Sequence, residues 1–398
     1  MPRVLRIINR LNLGGPTHNA AYLTRYLDSR YETVLVAGMK DETEASSEFI
    51  LKKLGVIPVY ISEMHRNINP LHDVQAYRKI KAIIRDFKPD IVHTHAAKAG
   101  ALGRMAAHHC GVPAIIHTFH GHVFHSYFHP IKTKFFIQLE RYLASISTAI
   151  VAISNLQKKE LSEVYKICPP EKITVIPLGF DLEKFQEDYD LKRKKFRGKY
   201  QVADDEIAIG IIGRLVPVKN HPLFMKALKN VLAKTTRKVK AFIIGDGGEK
   251  ENIMSLAGQL GISLDLAEKL QSHPLIFTSW ITNIDEAMAG LDIVALTSFN
   301  EGTPVSLIEA QAAGKAIATT AVGGIEDVII PGETALLSPN NDLEKFTFNL
   351  IKLVEDDALR HRLGQQGFKF ANAHFNFTRL VKDMTMLYDH VQFARGSK

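Results

Sequence analysis

The chain is poor in cysteine and has no long apolar run and no low-complexity tract, and each shortage closes off a class of protein. Cys110 and Cys168 are the only cysteines in 398 residues. They are too few and too isolated for a disulfide framework or a thiolate zinc site, which implies a reducing, cytoplasmic setting. No apolar stretch is long enough to span a bilayer. Residues 1–8 enter a strand directly, without the apolar core of a signal peptide. The expectation is a chain neither secreted by that route nor integral to a membrane. Composition is ordinary, 46% hydrophobic and 23% charged, which argues against a disordered or fibrous protein. No zinc finger or aromatic RNA-binding signature is present, so nucleic acid is not an expected partner. No acidic metal-binding triplet is present either, and no metal or other cofactor is expected.

What is there is length and positive charge. A chain of 398 residues fits about two to three domains. The net charge of +8 is compatible with nucleic acid, an anionic membrane surface or a basic solvated exterior. It is spread along the chain, apart from Lys192-Arg193-Lys194-Lys195 with Arg197 and Lys199 close behind.

Short apolar runs alternate with amphipathic stretches. Val4–Ile8, Thr33–Ala37, Pro58–Ile61, Ile91–His95, Ala114–His120, Ala149–Ile153 and Ile173–Pro177 read as buried strands. Helical periodicity lies between them, as in Asn19–Leu27, Val74–Phe87, Ala99–Cys110 and Leu156–Val164. The pattern pauses at Pro177–Phe185 and the basic stretch that follows, which reads as a linker. It restarts with strands at Ile207–Gly213, Ala241–Gly245, Leu275–Trp280, Ile293–Ser298, Ala316–Ala321 and Thr334–Leu337. Strand–helix alternation implies parallel sheets covered by helices on both faces. The expected fold class is therefore α/β, with two doubly wound, Rossmann-like domains at 1–185 and 186–375. The tail is helical, and Leu380, Met384, Leu387, Tyr388 and Val391 share one face of its last helix. That face must be buried, which predicts that 376–398 returns to the first domain. Ligands of open α/β sheets bind beyond the carboxyl ends of the strands, so a cleft between two such domains is the expected site.

The densest chemistry lies in Ser298–Gly314. Glu301 and Glu309 stand eight residues apart, separated by Gly302-Thr303-Pro304 and the start of a helix. A helix start offers unpaired N–H groups and a partial positive charge, which suits a phosphate. Gly302 permits close backbone approach, and Pro304 suits the first helical position. A phosphate site flanked by two hydroxyl-accepting carboxylates describes a nucleotide-sugar. The competing reading is a surface helix with ordinary charges.

These residues resemble a family 4 glycosyltransferase of the GT-B fold. Ser298–Gly314 is similar to that family's two-glutamate motif, and Val322-Gly323-Gly324 through Glu333 continues it in order. Gly213-Arg214-Leu215 through Lys219 resembles its diphosphate-binding turn, and Gly245-Asp246-Gly247 the turn after the next strand. Gly14-Gly15, His120-Gly121-His122 and Pro177–Asp181 complete the series. The resemblance implies an acceptor-binding first domain, a donor-binding second domain and retention of anomeric configuration. It further implies a nucleotide-diphosphate sugar donor, with a UDP-sugar favoured and guanosine also open. The acceptor is expected to be a glycan or lipid-linked glycan of surface polysaccharide, such as capsule or lipopolysaccharide.

By that resemblance Arg214 and Lys219 hold the diphosphate, while Glu301 grips the donor sugar's hydroxyls and Glu309 those of the ribose. Gly14, Gly15, Gly245, Gly302, Thr303 and Pro304 complete the donor site, and His120 serves near the anomeric centre. His18, Asn19 and His122 are the candidate acceptor contacts. His117, His120, His122, His125 and His129 crowd into thirteen residues. Metal binding, polar cleft lining and a single cleft histidine all fit that crowding. His93 and His95, ending a neighbouring strand, read as structural or rim residues. Residues 127–141 mix basic and apolar side chains at helical spacing. They fit a helix burying Phe135, Phe136 and Leu139, or a surface for a membrane interface. A nucleotide-sugar epimerase and a non-catalytic binding subunit remain alternatives.

Overall fold

The computed structural model describes residues 1–11, 15–39, 48–65, 67–121 and 130–396, with Gly14, His122, His125 and His129 outside that set. Two compact units are formed: Met1–Phe180 with Phe375–Lys398, and Asp181–His374. The switch falls at Phe180, within the stretch read as a linker and five residues before the domain boundary expected at 185.

The first unit is a seven-stranded parallel sheet. Its strands are β1 (Arg3–Ile8), β2 (Glu32–Gly38), β3 (Val59–Ile61), β4 (Ile91–His95), β5 (Ala114–Phe119), β6 (Ala149–Ala152) and β7 (Ile173–Val175). Between them run α1 (Gly15–Tyr26), α2 (Glu48–Leu54), α3 (Pro70–Phe87), α4 (Ala97–His109), α5 (Pro130–Ser145) and α6 (Asn155–Lys159). The order is β3-β2-β1-β4-β5-β6-β7, so the direction of winding reverses between β1 and β4. Every residue of β4 and β5 is buried, as expected for strands covered on both faces.

The second unit repeats the plan with β8 (Ile207–Ile212), β9 (Val239–Ile244), β10 (Leu264–Leu266), β11 (Leu275–Ser279), β12 (Ile293–Leu296), β13 (Ala316–Thr320) and β14 (Leu336–Ser338). The order β10-β11-β9-β8-β12-β13-β14 puts its reversal between β8 and β12. Its helices are α7 (Tyr189–Lys199), α8 (His221–Lys234), α9 (Lys250–Gln259), α10 (Ile284–Gly290), α11 (Val305–Ala312), α12 (Leu343–Glu355) and α13 (Asp357–Phe375).

The basic stretch expected as a linker is α7, docked on α10. Lys192 pairs with Asp285 at 2.9 Å, Lys195 with Glu286 at 2.6 Å and Arg193 with Asp292 at 2.8 Å. Lys192, Arg193 and Lys195 of the densest positive run are thereby paired inside their own unit. The chain returns to the first unit at Phe375. Phe180 N–H donates to the Phe375 carbonyl at 2.8 Å, and Phe377 N–H to the Phe180 carbonyl at 3.0 Å. There α14 (Phe377–Gly396) buries Leu380, Met384, Leu387, Tyr388 and Val391 against Val4, Ile91, Ile116 and Val151.

Candidate functional site

In the second unit the predicted residues gather at the carboxyl ends of β8, β9 and β12, around the winding reversal where open α/β sheets bind ligands. Loop 213–220 follows β8. Thr297 donates to the carbonyls of Lys219 and Asn220 at 3.1 and 3.0 Å, and Phe299 N–H to the Val218 carbonyl at 2.8 Å. These bonds fasten the loop after β8 to the loop after β12. Asn220 turns the chain into α8 with φ +49°, a conformation that asparagine tolerates better than most residues.

Lys219 and Glu301 meet across that seam. Lys219 Nζ lies 2.5 Å from Glu301 Oε1, and Ser298 Oγ donates to the same oxygen at 2.6 Å. Glu301 Oε2 accepts no hydrogen bond among the described residues. Ser298 was missed as a functional residue, although its place three residues ahead of Glu301 in one loop was a usable signal. Arg214, on the same loop as Lys219, is exposed and unpaired among the described residues. A fixed cation pair of which one member is uncommitted suits an anion that arrives from solution.

Glycines let this framework close. Gly245 has φ +149°, and a Cβ there would stand 1.9 Å from the Gly213 carbonyl oxygen. Gly245 is thus demanded by the close approach of two strand ends. A Cβ on Gly323 would stand 2.1 Å from the Glu301 carbonyl oxygen, and Gly324 N–H donates to that carbonyl at 2.9 Å. Gly302 differs: among the described residues, its own chain neighbours aside, no atom lies within 4 Å of where its Cβ would be. Thr303 and Pro304 lead into α11, with Pro304 capping the helix and Val305 its first residue, one place later than the sequence suggested. The first N–H groups of α11 have no intrahelical partner and carry its positive end.

Glu309 lies further along α11. It keeps partial access to solvent in densely packed surroundings. Desolvation pushes it up to about 7, the Asp285 carboxylate adds to the rise, and Lys184 opposes it. No hydrogen bond reaches this carboxylate among the described residues. It is a poorly satisfied acceptor, which a pair of hydroxyl donors would relieve.

The first unit holds its own cluster at the ends of β1, β4 and β5. His93 and His95, expected at a rim or in a structural role, are fully buried. His93 bonds to Tyr388 Oη at 2.6 Å and to Thr118 Oγ1 at 2.7 Å. His117, also buried, bonds to Thr94 Oγ1 at 2.8 Å. His120 Nε2 and His95 Nδ1 are 3.0 Å apart. Desolvation lowers His120 to about 3 and carries His93, His95 and His117 well below the ordinary imidazole value. These rings are neutral. Among the described residues no three His, Cys, Asp or Glu side chains come together to hold a metal ion.

Gly15 opens α1, where its Cβ would meet Leu178 Cδ1, the movable end of a side chain, at 2.9 Å. Asn19 is buried on the same helix, with Oδ1 unpartnered among the described residues, while His18 is half-buried and stacks toward Tyr22. Gly14 and His122, expected at the donor and acceptor sites, lie outside the described residues. On α5, Phe135 is 64% exposed, which corrects the expectation that it joins the core, whereas Phe136 and Leu139 are partly buried.

Known proteins agree with this layout. A family model described as Glycosyltransferase Family 4 matches residues 13–184, and one described as Glycosyl transferases group 1 matches 192–370. An Escherichia coli UDP-Gal:alpha-D-GlcNAc-diphosphoundecaprenol alpha-1,3-galactosyltransferase is 29% identical over 83% of this chain and 82% of its own. The Staphylococcus aureus capsular polysaccharide biosynthesis glycosyltransferase CapM is 26% identical over 83% of this chain and 84% of its own. Among solved structures, Anabaena HepE in complex with UDP superposes with a TM-score of 0.79 at 18% identity, over 98% of this chain and all of that one. With two seven-stranded Rossmann-like units of the GT-B kind and both family models in sequence order, the chain belongs to the family 4 glycosyltransferases.

Proposed function

We propose that the chain transfers a hexosyl group, with retention and without a metal ion, from a UDP-sugar to a glycan or lipid-linked glycan of a surface polysaccharide. One observation carries this reading: the Lys219–Glu301 contact beside the unpaired Arg214 and the open start of α11. In the reaction the bond from the anomeric carbon to the phosphate oxygen breaks, and its electron pair leaves with the diphosphate. Positive potential at that oxygen is the largest lever available, and Arg214, Lys219 and the N–H groups opening α11 supply it. The free oxygen of Glu301 accepts hydroxyls of the sugar, and the unsatisfied Glu309 those of the ribose. The acceptor oxygen then bonds to the anomeric carbon while its proton passes to the departing phosphate oxygen. A double displacement needs a carboxylate beneath that carbon, where the family resemblance puts a histidine, His120, rather than an Asp or Glu. Front-face attack is therefore favoured. The bacterial relatives support the donor and acceptor classes through the names they carry.

The exposed Phe135 and Tyr142, with Lys132 and Lys134 on the same helix, give α5 a character that suits the interface of a membrane bearing a lipid-linked acceptor. Among the described residues no helix is long and apolar enough to cross a membrane. The test is product analysis with a panel of UDP- and GDP-sugars, with and without a polyprenyl-diphosphate glycan, and NMR of the product's anomeric configuration. Acceptor-independent rearrangement of the sugar would point to an epimerase. Tight donor binding with no product under any condition would point to a binding subunit.

A further inference from the structure

His120 lies one residue beyond the end of β5, next to Gly121 with φ +147°. The sheet's ladder does not hold it. The one hydrogen bond to its ring among the described residues comes from His95. His95, in contrast, is rigidly set. It ends β4, a central strand bonded to both β1 and β5. Its ring lies tilted against that of His93, with centroids 4.2 Å apart, and His93 is itself clamped between Tyr388 and Thr118. Directly after it, Ala96 takes φ +66° and ψ 159°, a region open essentially to glycine alone and costly for any other residue. Such strain persists only where the surroundings over-determine it, and here it sits at the winding reversal of the first sheet.

Both rings are neutral, because burial opposes their charging. Each then carries one N–H, and only one of the two protons can occupy the shared bond. The other must sit on His95 Nε2 or on His120 Nδ1, both buried and without a partner among the described residues. His95 has no solvent exposure, while His120 keeps some. An N–H deprived of a partner is costly in the interior. It is better placed on His120, which stands one residue past the end of β5 and is partly exposed as a residue, so that an arriving ligand can meet it, than on His95 wholly inside the sheet. His95 Nδ1–H therefore donates to His120 Nε2, and His120 keeps its proton on Nδ1.

We propose that His95 is a positioning residue that holds His120 in the Nδ1–H tautomer, so that His120 serves the transfer as a hydrogen-bond donor to an oxygen of the substrate. A base that removes the acceptor's proton would need the opposite arrangement. The role in transfer rests on the function proposed above; the tautomer does not.

The test uses the full chain labelled with 15N-histidine, with long-range 1H–15N correlations assigned by the loss of signal in H120Q. The expected result is a protonated Nδ1 and a pyridine-like Nε2 on His120. H95L removes the donor and should broaden or shift that pattern, lowering kcat about tenfold, the worth of one hydrogen bond, with donor KM little changed. H95N places an amide N–H near the position of Nδ1 and should recover most of the kcat, which also guards against a mere folding defect in H95L. Protonation of His120 at Nε2, or a tautomer indifferent to H95L, overturns the proposal and leaves the transfer reading standing. Unchanged turnover in both H95L and H120Q, with the tautomer as expected, removes the positioning role and His120's part in transfer together.

Discussion

Lys219 Nζ and Glu301 Oε1, 82 residues apart in sequence, meet at 2.5 Å across the winding reversal of the second sheet. Both side chains are largely withdrawn from solvent, at 21% and 11% exposure. In the proposed reaction Lys219 faces a diphosphate and Glu301 a sugar, so the ammonium serves two anions at once. Lys219→Ala should lower kcat/KM for transfer roughly 10²- to 10³-fold, the range for one positioned donor at a developing oxyanion. Its melting temperature should stay within a few degrees of the parent. Steady-state kinetics beside a thermal melt checks both, and a loss under threefold would remove Lys219 from the leaving-group site.

Gly302 gives a cleaner separation of folding from binding. Space for a Cβ is open on the protein side, so Gly302→Ala should leave stability within about 0.5 kcal/mol, as for surface changes away from special features. If the residue is glycine so that a diphosphate can approach the backbone, donor affinity should fall at least tenfold. Isothermal titration with UDP is the measurement, and equal affinity in the two proteins would mean that this space is not used.

Alternation of apolar runs made all seven strands of the first unit legible: β4, β5 and β6 are buried throughout, and even β3, with Val59 and Tyr60 exposed, keeps an apolar run. In the second unit Leu264–Leu266 escaped. It is three residues long and carries Asp265, whose charge is absorbed by the N–H groups of Gln271 and His273 and by the His273 ring. The helix Tyr189–Lys199 escaped for a related reason. Its residues read as solvated charge, and what docks it are ion pairs to carboxylates some ninety residues on. Glu301, Glu309, Arg214 and Lys219 were each visible in sequence. That Lys219 would close on Glu301 was not, because only the strand order brings the ends of β8 and β12 side by side. His93 and His95 showed the two-residue spacing of one strand face, but their depth depends on the neighbours β1, β5 and α14.

Asp292 anchors the region that was misread as a linker. Burial alone would raise its carboxyl, but Arg193 and Arg197 and the N–H of Ala208 hold it below the usual carboxylate value. Asp292→Ala leaves two guanidinium groups, one almost fully buried, without their counter-ion. The expected loss is about 3–5 kcal/mol, as for other buried pairs broken on one side. The pH dependence has a definite sign. A depressed acid contributes stability that is complete above its unfolded value, near 3.8, and that is lost as pH falls through the lower folded value. Denaturant melts at pH 7 should therefore show the full cost of Asp292→Ala, and melts near pH 3 a smaller one. A cost independent of pH would mean that packing, not charge, is what Asp292 provides.

Glu309 should behave in the opposite sense. Its folded value, about 7, stands above the ordinary carboxyl value of 4.5, so between those limits the folded state binds more protons than the unfolded one. Stability of the ligand-free protein should then fall as pH rises from about 4.5 to 7 and level off above. Glu309→Gln removes the ionisation and should raise stability at pH 8 by roughly 1–3 kcal/mol, with little gain at pH 5. The same change should weaken donor binding, because the ionised carboxylate is the better acceptor for two ribose hydroxyls. In the parent protein, apparent UDP affinity should tighten roughly tenfold from pH 6 to pH 8 as the carboxyl ionises, with a proton released on binding below pH 7. Thermal melts across pH, with and without UDP, read both effects in one experiment. A variant more stable when empty and less stabilised by UDP is the pattern of a residue kept for its ligand, and a Glu309→Gln protein that UDP stabilises as strongly as the parent would contradict it.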